Sequence, residues 1–237
     1  MGVLRVGKLY DVQYSWTAYS WEVATTRGPG QRAGLTRTAV LAAARELLAD
    51  GGVAALSMRG LAGRLGVAPN ALYSHVPNKT ALLDDLLDDL LALVAAPNPD
   101  TADPVAGLAE MMSSTYDVLT AHRDLVPVYL SRQGARGSNA VRLGQAMDGL
   151  LTRAGVTGQP GDEARRVLIV HTIGAAAFAT APAAATDPPL SPKHARRSYT
   201  LGLHWLLEGI TLASIQSTPP MPTDSTGASS TQLPLGT

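Results

Sequence analysis

Between Leu82 and Leu91 the chain reads Leu-Leu-Asp-Asp-Leu-Leu-Asp-Asp-Leu-Leu, a four-residue repeat that few backbones can use. Wound as an α-helix, it gathers the pairs Leu82/Leu83, Leu86/Leu87 and Leu90/Leu91 on one wide apolar face, with Asp84/Asp85 and Asp88/Asp89 between them. The spacing predicts an amphipathic helix over Lys79–Val94, with Asn78 as its cap. Such a face has to be covered by other helices, so the expected fold class is all-α, and no segment reads as a strand. The paired carboxylates are expected to face water. No histidine stands beside them to complete a metal site.

Upstream, the same logic gives three more helices. Thr36 is a plausible cap, after which Val40, Leu41, Ala44, Leu47 and Leu48 recur at helical spacing until Asp50-Gly51-Gly52 stops the run. Ser57 caps a short helix, Met58–Leu65, that ends at Gly66. Pro69 suits the first turn of a third helix because it needs no N–H donor there, and Pro77 closes that helix after His75. Leu72 and Val76 are expected to face inward. Three helices joined by tight glycine turns form a helix-turn-helix at about 57–77, in which the last short helix enters a major groove and the preceding one crosses the backbone.

Composition narrows the alternatives. Of 237 residues, 46% are hydrophobic and 16% charged, which suits a globular chain with an aliphatic core, either one large helical domain or a small one fused to a larger. There is no cysteine, so neither a disulfide framework nor a thiolate metal site is available. No apolar run approaches the ~18 residues of a membrane span, and Met1–Tyr10 lacks the apolar core of a signal peptide. The expected compartment is the cytoplasm, with no membrane partner, metal or cofactor. The net charge of zero hides an asymmetry: Arg27–Thr80 holds seven basic against two acidic residues, and residues 81–237 hold 10 basic against 15 acidic. Only the first module is expected to touch a polyanion.

Within it, Ser57, Met58 and Arg59 stand at the start of the second helix, where Arg59 can bond a phosphate or reach a guanine. Ala68, Asn70, Ala71 and Ser74 are small enough to bring the third helix close to base edges; Asn70 can pair with adenine and Ala71 can meet a thymine methyl. The run from Leu65 to Asp84 resembles the recognition segment of the TetR family, and most of all the tetracycline-repressor branch, whose pattern Leu-Tyr-x-His-Val-x-Asn-Lys-x-Ala-Leu-Leu-Asp begins here at Leu72 and ends at Asp84. The resemblance covers residues 36–94. It implies DNA-backbone contacts for Tyr73, His75 and Lys79, and base or groove contacts for Arg59, Pro69, Asn70, Ala71 and Ser74.

The remaining helices are expected at 105–121, 124–131, 138–154, 162–180 and 193–216, after a linker marked by Pro97, Pro99 and Pro104 and with a proline-rich loop at 182–192. The expected organisation is a tail at 1–33, a DNA-binding domain at 34–94, a helical effector-binding and dimerisation domain at 105–216, and a disordered tail at 217–237. Tyr10, Tyr14, Trp16, Tyr19 and Trp21 are unusual for a solvated tail, and a translation start at Val23 would leave only a basic arm. The segment Tyr199-x-x-Gly202-Leu203-x-x-Leu206-x-x-Gly209 is similar to the last helix of tetracycline-repressor-type regulators, and Ala164–Ala181 is rich in small residues; the resemblance implies that these two helices form a four-helix dimer interface. Met111, Met112, Tyr116, His122, Tyr129, Met147, His171 and Phe178 are the candidates for a ligand-pocket wall, since methionine and aromatic side chains suit an adaptable apolar site. Tetracycline repressors hold drug and magnesium with histidines and a His-x-x-Thr-Arg-Pro stretch. Here Tyr129–Gly134 and Ala95-Ala96 stand instead, which argues against tetracycline–magnesium as effector.

The expected function is a ligand-responsive, non-enzymatic transcriptional regulator. A homodimeric repressor would bind a palindromic double-stranded operator at half-sites roughly 34–36 Å apart and leave it on binding a small-molecule effector. The rivals are a helical interaction module without DNA binding and an all-α enzyme, the latter lacking any catalytic arrangement of residues.

Overall fold

The computed structural model describes residues 35–98, 100–181 and 191–216. The expectations for residues 1–33, for most of the loop at 182–192 and for 217–237 lie outside the described residues. Among the described residues there is no strand. The chain is all-α, with an N-terminal helix-turn-helix joined to a larger helical region, and α1 to α9 belong to one compact unit.

Helix α1 (Arg37–Ala55) starts at Thr36, whose hydroxyl accepts the Ala39 N–H at 3.1 Å. It breaks at Gly51-Gly52: Gly52 has φ +66° and ψ −164°, a region open to glycine alone. The expected stop is therefore a sharp kink, with one more turn to Ala55 beyond it. Helix α2 (Met58–Leu65) starts on Ser57, whose Oγ accepts the Gly60 N–H, and ends on left-handed Gly66. Helix α3 (Pro69–Leu72) is shorter than expected. Tyr73–His75 continues as a turn in which the His75 and Val76 N–H groups both donate to the Leu72 carbonyl at 2.9 Å. Val40, Leu61, Leu72 and Val76 are fully buried, and with Leu48 and Leu56 they make the small core that holds α3 in place.

Helix α4 (Lys79–Leu91) starts on Asn78, whose side chain accepts the Ala81 N–H, and is three residues shorter than expected. All six of its leucines are buried, because α1, α6 and α7 pack around it. The expectation that its carboxylates face water is corrected. Asp85 pairs with Arg37 and Asp89 with Arg45, while Asp84 and Asp88 bond to α6 and α7. With neighbours on more than one side, the polar face is also an interface, and directed ion pairs and caps satisfy it.

Beyond lie α5 (Pro104–Ala121), a 3-10 turn at Arg123–Leu125, α6 (Val126–Arg132), α7 (Ser138–Arg153), α8 (Gly158–Thr180) and α9 (Pro192–Gln216). Helix α5 packs on α7, α8 and α9, and α8 packs along α9. No helix among the described residues is long and apolar enough to cross a membrane.

Candidate nucleic-acid interface

The helix-turn-helix displays its polar residues on one rigid unit. Ser57, Arg59, Pro69, Asn70, Tyr73 and Ser74 are exposed, while Met58, Ala71, His75 and Lys79 are partly covered. Tyr73 is 49% exposed, a large ring left in solvent while Leu72 beside it is fully buried. Ser74 donates its hydroxyl to the Ala71 carbonyl at 2.8 Å, which ties down the end of α3. Lys79 donates from Nζ to the Val53 carbonyl at 3.1 Å and so braces the segment that follows the glycine kink; its remaining N–H groups can still meet an anion.

The basic excess of Arg27–Thr80 does not extend through α4. Once α4 is counted, residues 36–94 carry five basic and six acidic side chains. Arg37 and Arg45 pair with Asp85 and Asp89. Arg64 donates to Asp50 and Glu46 at 2.7 and 2.8 Å, and the Asp50 hydrogen bond is the main cause that raises its already high pKa. Arg59 has no ion pair among the described residues, and its side chain is exposed. Among the described residues of 36–94, the cations without a carboxylate partner are Arg59 and Lys79.

Of the eight candidate pocket residues, only His171 and Phe178 line one groove together. Met111, Met112, Tyr116, Tyr129 and Met147 are buried in the body. Burial pushes the Tyr129 hydroxyl up to about 12. His122 is half-buried at the end of α5. His171 stacks on Tyr199 with ring centroids 5.3 Å apart, and Tyr199 stacks on Tyr116 at 4.2 Å. Phe178 is 81% exposed on α8, where with His171 it lines an open groove between α8 and α9.

Both helices carry exposed apolar residues. Val167, Val170 and Phe178 on α8, with Leu201, Trp205 and Leu212 on α9, are all exposed, and Trp205 reaches 62%. Helix α9 buries Tyr199, Leu203 and Leu207 on its opposite side. It is therefore apolar on two faces, and the single chain covers only one. The motif singled out in the sequence lies mostly along the inner face. The spacing of 201, 205 and 212 was the available signal for the outer one.

Residues 40–86 match the model of the bacterial regulatory proteins of the tetR family. The tetracycline repressor protein class C of Escherichia coli is 51% identical over 59 residues, 25% of this chain and 27% of that protein. Residues 40–86 are thus similar to the N-terminal segment of TetR-family regulators. Apo ActR of Streptomyces coelicolor has the same fold, with a TM-score of 0.69 and 25% identity over 79% of this chain and all of that one. BioQ with its double-stranded DNA operator aligns with a TM-score of 0.59 and 26% identity over 76% of this chain and 99% of that one. The chain spans about a quarter of the length of the tetracycline repressors that it matches.

Proposed function

We propose that this chain is a ligand-responsive repressor of the TetR family. Two copies bind a palindromic operator in successive major grooves, with residues 34–94 reading DNA and residues 105–216 binding effector and pairing the subunits. The carrying observation is the exposed face of α2 and α3, where Arg59, Asn70, Tyr73 and Ser74 stand on a buried core and Arg59 lacks an internal ion pair. BioQ, similar over three quarters of this chain, is described with its operator, and ActR with actinorhodin. In this reading Tyr73, His75 and Lys79, with Ser57 and Met58, hold the sugar-phosphate backbone, Arg59 bonds a phosphate or reaches a guanine, and Pro69, Asn70, Ala71 and Ser74 meet base edges.

The exposed apolar side chains of α8 and α9, Val170, Phe178 and Trp205 above all, support a homodimer, because apolar surface grouped on adjacent helices marks an interaction surface. The effector is a small molecule other than tetracycline–magnesium, taken up in the body near Tyr116, Tyr129 and His171. The protein works in the cytoplasm and catalyses no reaction. Binding to duplexes from its own upstream intergenic DNA should saturate and weaken steeply with salt. Unchanged affinity in both Arg59→Ala and Tyr73→Ala would sink the assignment of the reading face.

A further inference from the structure

Helix α4 divides its four carboxylates among three neighbours. Asp85 accepts from Arg37 and Asp89 from Arg45, each at 2.7 Å and both on α1. Asp84 takes a two-pronged bond from Arg132 at the end of α6, Nε to Oδ1 at 2.8 Å and Nη2 to Oδ2 at 2.9 Å. Asp88 reaches the start of α7, where the backbone N–H groups of Asn139 and Ala140 donate to its Oδ1 at 2.9 and 3.1 Å. Helix α7 has Gly137 at its cap position and no side chain of its own to do this. The glycine is also required for space: a Cβ there would lie 2.4 Å from Asp88 Cγ, at a φ of +122°. A residue of α4 therefore caps α7.

Leucine packing alone cannot do the same work. The four-residue repeat makes the apolar face of α4 nearly self-similar along its axis, and apolar burial has no direction. The charged bonds are directional, and a shift of one residue, about 1.5 Å, breaks them.

We propose that Asp84 and Asp88 are positioning residues for operator binding. They fix α4 to α6 and α7, and Asp85 and Asp89 carry that position to α1 and so to the reading face. The inference rests on the DNA-binding reading above. By reciprocity of linked equilibria, DNA bound at α3 must then tighten the cap at α7.

The test uses the full chain and a duplex selected from genomic DNA. Saturating duplex should slow hydrogen exchange at the Asn139 and Ala140 amides by roughly 5-fold or more; unchanged exchange overturns the proposal without any variant having to fold. Asp84→Arg and Arg132→Asp should each weaken duplex binding on the order of 10-fold, and the doubly swapped chain should recover to within about 3-fold. Folded single variants that bind like the native chain overturn it as well. A native chain that binds no duplex overturns the DNA-binding reading, whereas native binding with inert variants overturns only the positioning role.

Discussion

Arg59 and Arg64 lie five residues apart and should behave differently. Arg64 is held by two carboxylates, and Arg59 by none among the described residues. Arg59→Ala is expected to weaken operator binding by about 1–3 kcal/mol and to lower the salt slope by about 1, as read by anisotropy over a salt series. Arg64→Ala should leave that slope unchanged. Tyr129 gives a pH prediction. Its hydroxyl stays protonated up to about 12 in the fold, against 10.0 in the unfolded chain. Between those values the unfolded state holds fewer protons, so stability falls as pH rises. Thermal melts should lose ground from pH 10 upward, and Tyr129→Phe should reduce the loss. Leu72, Val76 and the matched run from Leu65 to Asp84 were legible as residues because their burial follows local spacing. The ion pairs of Arg37 and Arg45 were not, since their partners lie 44 or more residues away.

Among the elements, starts were easier to read than ends. Thr36, Ser57 and Asn78 each accept an N–H three residues on, a bond wholly local to the chain. Ser57→Ala should cost about 1 kcal/mol in denaturant unfolding. At Gly52, where φ is +66° and ψ −164°, alanine should cost about 1–3 kcal/mol by the same measurement. Helix α3 stops at Leu72 rather than His75 because the chain must turn to bury Val76 and to present Asn78 as the next cap, a tertiary demand that overrides propensity. The polar face of α4 was misread for a related reason. Alternating Asp pairs look the same whether they face water or three different helices, and only the fold says which.

At the scale of the molecule, the apolar stripe through Val170, Phe178 and Trp205 has the largest consequence for solution behaviour. Trp205→Glu is expected to shift the chain to monomer in sedimentation velocity and to weaken operator binding with it. The native melting temperature should rise with protein concentration, as it does when association stabilises the fold. The all-α architecture was legible from periodicity because helices write their inner faces into nearby sequence. The second face of α9 was harder to see, since an outward stripe is recognised only when the inward one is known.

The body is filled by its own side chains: Met111 is 1%, Met112 3%, Tyr116 4% and Met147 3% exposed. An effector that settles among them must wait for the helices to part. Its capture is then limited by a breathing motion of the protein. The observed binding rate should level off with rising ligand concentration at the opening rate, and mutations that loosen the methionine cluster should raise that ceiling while leaving the rate of diffusion untouched.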